Sequence, residues 1–171
     1  MSVYMTSETR KKNKTSKFSL VYKDETLAEL VKKTDKKTLA VWAIDCVERI
    51  LPFFEEKYPK DNRPRKAIEA LQKWIRTGVF KIADVRKASL DSHEAAREIG
   101  EDNPARSVAR AAGQAMATAH VPTHSIAAAN YSLQAIYRST NFSDADASVA
   151  KERKWQYKRL LWLRKKFEPI S

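Results

Sequence analysis

The chain has 171 residues, with 33 Lys/Arg against 21 Asp/Glu for a net charge of +12, and it holds one cysteine and three glycines. That length builds one domain with a core of its own, and a lone cysteine, Cys46, excludes an internal disulfide framework. No apolar run reaches the roughly 18–20 residues that span a bilayer, and no short apolar segment behind a charged one opens the chain, so a cytoplasmic protein without a transmembrane segment is expected.

Scarce glycine and proline, with abundant Ala, Lys, Glu and Arg, point to an all-α fold. We expect a single-domain bundle of about six to eight helices over residues 18–171, behind a basic flexible arm over residues 1–17, which lack hydrophobic period. A short helix is expected from Asp24, carrying Leu27, Leu30 and Val31. A longer one follows from Asp35, with Leu39, Trp42, Ala43, Cys46, Val47 and Ile50 at helical spacing. Pro52 should end or kink it near Ile50, ahead of the aromatic group Phe53, Phe54 and Tyr58. Asp61, Asn62 and Pro64 open the next helix, whose stripe of Ile68, Leu71, Trp74 and Ile75 stops at Gly78.

A helix from about Lys81 to Ile99 is closed by Gly100, and Asn103-Pro104 opens another with a capping side chain and a preset φ. The alanine-rich stretch from Pro104 to His120 carries Gly113 at its centre, which lets a neighbouring helix approach closely. Val121-Pro122-Thr123 reads as a kink or a break before Ile126, Ala129, Leu133, Ile136 and Tyr137. The last helix, from about Asp144 to Phe167, begins acidic and ends basic, as the helix dipole favours.

The charge is unevenly spread. Residues 1–17 carry five Lys/Arg against one Glu, and residues 151–166 carry eight against one, which leaves the body near neutral. Basicity confined to the ends weakens a nucleic-acid groove as the explanation. In the last helix Lys151, Lys158 and Lys165 recur every seven residues with Lys154 between them, beside Trp155 and Trp162, while Leu160, Leu161, Leu163 and Phe167 are expected on the other side. Such a stripe can be a solvated face or can meet an anionic partner, a phosphate backbone or a membrane surface.

Candidate chemistry centres on three histidines. His120 and His124 lie four residues apart, which on an unbroken helix aligns two imidazoles as a metal site requires, and His93 with Asp91 or Glu94 could complete a set for a divalent transition metal. Pro122 between them and the absence of a His-Glu-x-x-His pattern argue for structural histidines instead. Asp45, between Ile44 and Cys46, needs a partner such as Arg63 or Arg97 if buried, and an ion pair is the simpler reading. Cys46 should be a buried small hydrophobe with a raised pKa. No catalytic triad, nucleophile elbow, phosphate loop or dinucleotide fingerprint is present, so no catalytic residue and no cofactor are assigned.

Beyond these patterns, three segments carry a resemblance: Arg63-Pro64-Arg65-Lys66-Ala67-Ile68 leading to Trp74, Ser92-His93-Glu94-Ala95-Ala96-Arg97, and Ala111-Ala112-Gly113 running through Ala119-His120-Val121-Pro122-Thr123-His124 to Tyr131. Together they span Asp61 to Tyr137, with Trp42 to Asp45 upstream. The chain thereby resembles the helical immunity-protein family associated with bacterial polymorphic-toxin systems. The resemblance implies an α-helical bundle that neutralises a toxin by binding it, and a candidate polar pocket of Asp45, Arg63, His93, Arg97, His120, His124 and Tyr131. Two other readings stay open: a small-molecule or metal-binding enzyme using His93, His120 and His124, and binding of nucleic acid or an anionic surface through the basic termini. Alanine-rich faces and exposed aromatics would also suit a homodimer without demanding one.

Overall fold

The computed structural model describes residues 18–20 and 23–168, so the basic arm expected over residues 1–17 lies outside the described residues. Among these, eight helices and no strand are present: α1 (Glu25–Lys32), α2 (Lys36–Glu48), α3 (Pro52–Glu55), α4 (Arg63–Thr77), α5 (Ile82–Glu98), α6 (Pro104–Ala117), α7 (His124–Ser139) and α8 (Ala145–Phe167). The fold is all-α, as composition and periodicity imply.

Local chemistry places the boundaries. Asp24, Asp35 and Asn103 each accept a backbone N–H at the start of α1, α2 and α6, from Leu27 (3.0 Å), Thr38 (3.0 Å) and Arg106 (2.9 Å) respectively. Gly78 ends α4 in the left-handed conformation at φ 67°, with its N–H bonded to the Trp74 carbonyl. Pro52 does not kink α2, which has already ended at Glu48; it begins the one-turn α3, where its missing N–H costs nothing. Pro122 breaks the chain rather than kinking a helix, because α6 ends at Ala117 and α7 starts at His124.

Helix α6 is the central element and packs against α4, α5 and α7. Its alanines 105, 109, 111, 112 and 115 are buried, together with Val108 and Met116. Small side chains let α5 come close enough for Ser89 and Ser92 to donate to the Gly113 and Ala109 carbonyls at 2.9 and 2.7 Å. A second cluster joins α1, α2, α7 and α8 through Leu27, Val31, Leu39, Trp42, Cys46, Ala129, Leu160 and Leu163. Within it the Trp42 indole donates to the Gln156 carbonyl (2.9 Å), and the Gln156 amide donates to the Ala129 carbonyl (3.0 Å). These bonds satisfy polar atoms that would otherwise be costly to bury.

Helix α8 departs from the expected division of its faces. Leu160 and Leu163 are buried, but Leu161 and Phe167 are exposed. At about 100° per residue, Leu161 falls on the Lys158–Lys165 side of the helix, away from Leu160 and Leu163. Phe167 is the last residue of the helix.

Candidate functional site

The polar residues singled out from the sequence do not form one pocket. They divide into two internal clamps, a histidine cluster and an exposed turn.

Asp45 accepts from Arg159 at 2.7 Å, an α2–α8 pair, so neither Arg63 nor Arg97 is its partner. Arg63 instead binds Asp61 at 2.7 Å and Glu98, tying the start of α4 to the end of α5. Donating to both carboxylates raises the Arg63 pKa above its ordinary value, and the same guanidinium lowers those of Asp61 and Glu98. Both clamps are structural ion pairs between helices.

The cluster is built around Gly113 of α6. The His93 ring from α5 lies so close that a Cβ at residue 113 would meet its Nε2 at 2.7 Å. Arg110, one turn earlier on α6, approaches His93 Nδ1 at 3.1 Å. A guanidinium can only donate, so Nδ1 accepts and the neutral ring carries its proton on Nε2. Burial, followed by the charges of Arg110, Arg97 and His124, lowers the His93 pKa to about 4. Arg97 sits one turn beyond His93 on α5 and is exposed.

His124 opens α7, and its Nδ1 lies 2.7 Å from Gln114 Oε1, donating to that carbonyl oxygen. Burial, and then His120, lower its pKa too. Tyr131 lines a cleft of about 420 Å³ with Gln114, Thr123, Ile126 and Asn130. Thus His93, His124 and Tyr131 are gathered about Gly113-Gln114, Arg97 is exposed one turn past His93, and Asp45 and Arg63 are engaged elsewhere. Among the described residues, no three His, Cys, Asp or Glu side chains come together as a metal set.

His120 takes a separate position. It is exposed in the α6–α7 turn and stacks on Phe80 of the α4–α5 connection, with ring centroids 6.0 Å apart. Lys36 at the start of α2 reaches over both Phe80 and Trp74, at 5.9 and 5.5 Å from their centroids. Around this stack Val79 is 61%, Phe80 42%, Ile82 37% and Val121 37% exposed. A groove of about 290 Å³, with Trp74, Val79, Val85 and Met116 in its wall, continues the apolar surface.

Sequence reasoning overlooked this patch. Its signal was Val79-Phe80 directly after the helix-ending Gly78, large apolar residues where a connection is ordinarily polar. Arg110 and Gln114 were also missed. Their one-turn spacing on either side of Gly113 was legible, but nothing local says which imidazoles they meet.

The model of the family described as "Imm-5 like putative immunity protein" matches residues 29–162. The chain belongs to this family. No curated protein and no solved structure matches it. The Imm-5 like match contains the histidine cluster, both clamps and the exposed patch, together with Lys151, Lys154 and Lys158; Lys165 lies beyond it. Those four lysines are all exposed, and among the described residues none pairs with a carboxylate. No helix among the described residues is long and apolar enough to cross a membrane.

Proposed function

We propose that this protein is a non-enzymatic, immunity-like interaction protein that binds and neutralises a protein toxin. Membership of the Imm-5 like family supports the role. The observation that carries it on this chain is the patch of Val79, Phe80, Ile82 and Val121, exposed around the Phe80–His120 stack. Exposed aliphatic and aromatic side chains gathered on two adjoining connections are unusual unless something covers them, and an aromatic anchor in such a patch is the common centre of a protein interface. Lys36 at the rim and Lys73 and Lys81 along the groove would favour an acidic border on the toxin.

Neutralisation by binding needs no reacting group. The polar residues of the candidate pocket that are tied internally, Asp45, Arg63, His93 and His124, then serve to hold the surface in shape.

The test is co-expression with toxin domains encoded beside its gene, read by survival of the host and by a stoichiometric complex on size exclusion. Phe80→Asp, at an exposed position, should leave helicity intact and weaken the complex at least about thirtyfold, the loss expected for an interface anchor. Neutralisation by Phe80→Asp at the wild-type level, or no neutralisation of any such domain by the wild type, would refute the reading.

A further inference from the structure

We infer that the outer face of α8 is a docking surface for an anionic lipid bilayer. Lys151, Lys154, Lys158 and Lys165 fall on a single face turned away from Val149, Gln156, Leu160 and Leu163, which are buried against the bundle. The stripe is about 21 Å long at 1.5 Å per residue. Leu161 and Trp162 stand on the same face between Lys158 and Lys165, 42% and 47% exposed. An interfacial helix has this composition: lysines whose flexible stems reach lipid phosphates, and a tryptophan and a leucine that enter the headgroup boundary.

The division of labour between lysine and arginine selects the partner. Arg159 on α8 is bound to Asp45, and Arg164 to Glu168 and the Lys33 carbonyl, so these planar forks serve fixed internal geometry. The charges of the stripe are all lysines, point charges suited to a diffuse anionic plane and depleted from specific protein interfaces. Nucleic acid is disfavoured by Trp162. The Arg159 guanidinium and the Lys166 ammonium lie over its ring at 4.4 and 4.8 Å, one turn before and one turn after it, so a base stacking there would compete with two cations already in place. A convex helix also offers a ridge to a surface, where single-stranded nucleic acid is tracked by a groove.

This proposal stands apart from toxin binding, since it concerns a different helix and needs no toxin for its test. The full-length protein is sedimented with phosphatidylcholine vesicles and with vesicles containing about 30% phosphatidylglycerol, at moderate salt. Partitioning should require the anionic lipid. Replacing Lys151, Lys154, Lys158 and Lys165 together by Gln should reduce it by up to several hundredfold, at about fivefold per lysine.

A matched variant with Lys37, Lys60, Lys66 and Lys73 changed to Gln has the same net charge and should keep most of the binding. Trp162→Ala, which removes no charge, should also weaken binding, at unchanged salt dependence. Equal binding to neutral vesicles, full binding by the stripe variant, or equal loss in both four-lysine variants would overturn the proposal. So would a single-stranded oligonucleotide that requires the stripe when the vesicles do not.

Discussion

Gly113 and His93 make an energetic prediction that depends on a single close approach. Gly113 lies inside α6, so replacing it by Ala in an isolated helix would stabilise by about 1 kcal/mol. Here the new Cβ would stand 2.7, 2.8 and 2.9 Å from Nε2, Cδ2 and Cε1 of His93, where ordinary contact begins near 3.4 Å. The ring must withdraw by roughly 0.5–1 Å, and overpacking of this kind costs about 1–3 kcal/mol. Withdrawal also stretches the 3.1 Å bond from Arg110, worth about 1 kcal/mol. The propensity gain is therefore outweighed, and Gly113→Ala should destabilise the protein by about 1–2 kcal/mol.

In a His93→Ala background the obstructing ring is gone, and the same change should stabilise by about 1 kcal/mol. The sign reversal is the informative result. Urea unfolding of the wild type, both single variants and the double variant gives a coupling energy, expected at about 2–3 kcal/mol. If Gly113→Ala raises the midpoint equally in both backgrounds, the His93 ring does not rest on Gly113.

Two further outcomes follow from the same interior. Because the folded His93 pKa, at about 4, lies below its ordinary 6.5, the unfolded chain binds the proton first, so stability is complete above about pH 6.5 and falls as pH drops toward 4. With solvent screening at a part-exposed ring the loss should be about 1–2 kcal/mol, measured as the extra pH dependence of the urea midpoint in wild type over His93→Gln. Arg49 holds the Glu152 carboxylate with two bonds, at 2.5 and 2.9 Å, and the Glu152 side chain is only 9% exposed. Arg49→Ala strands that charge and should cost about 2–4 kcal/mol by thermal or urea unfolding, more than Glu152→Gln, which keeps the site neutral and hydrogen-bonded.

Helix identity was legible wherever the chain itself carries the cause. Asp35 and Asn103 were readable as caps and act as caps, the short helix expected from Asp24 begins there with Asp24 capping it, and Gly78 closes α4. The buried stripes of α2 and α4 follow residues at helical spacing, and Cys46 is buried with its thiol pKa pushed up, chiefly by desolvation and then by Asp45 and Glu152. The partners were not readable, because they come from distant segments. Asp45 meets Arg159, 114 positions along the chain, and Arg63 finds Glu98 from the far end of α5. Choosing between Arg63, Arg97 and Arg159 requires the angle at which α2 crosses α8, which no local pattern encodes. The histidine spacing failed for a similar reason. Four residues imply one face only on a continuous helix, and the break at Pro122 leaves His120 on a turn beside Phe80 while His124 begins α7.

The polar interior of the bundle is satisfied by its own side chains and backbone. Among the described residues no buried side-chain nitrogen or oxygen lacks a hydrogen-bond partner. The Trp42–Gln156–Ala129 chain, the two serines under α6 and the Arg49–Glu152 pair each find their partners within the bundle. His93 is held in place by Arg110, which donates to one ring nitrogen, and by the packing of its ring against Gly113. Substitutions at these positions should therefore register first as lost stability, whatever they later do to binding. On the surface, Phe80 and its apolar neighbours, and Leu161 and Trp162 among lysines, are the large apolar side chains left exposed at the two proposed docking faces. Changes there should leave unfolding nearly unchanged and alter association. Comparing His93→Ala with Phe80→Asp at matched stability would thus separate a bundle that is merely held together by its polar residues from one that uses them to bind.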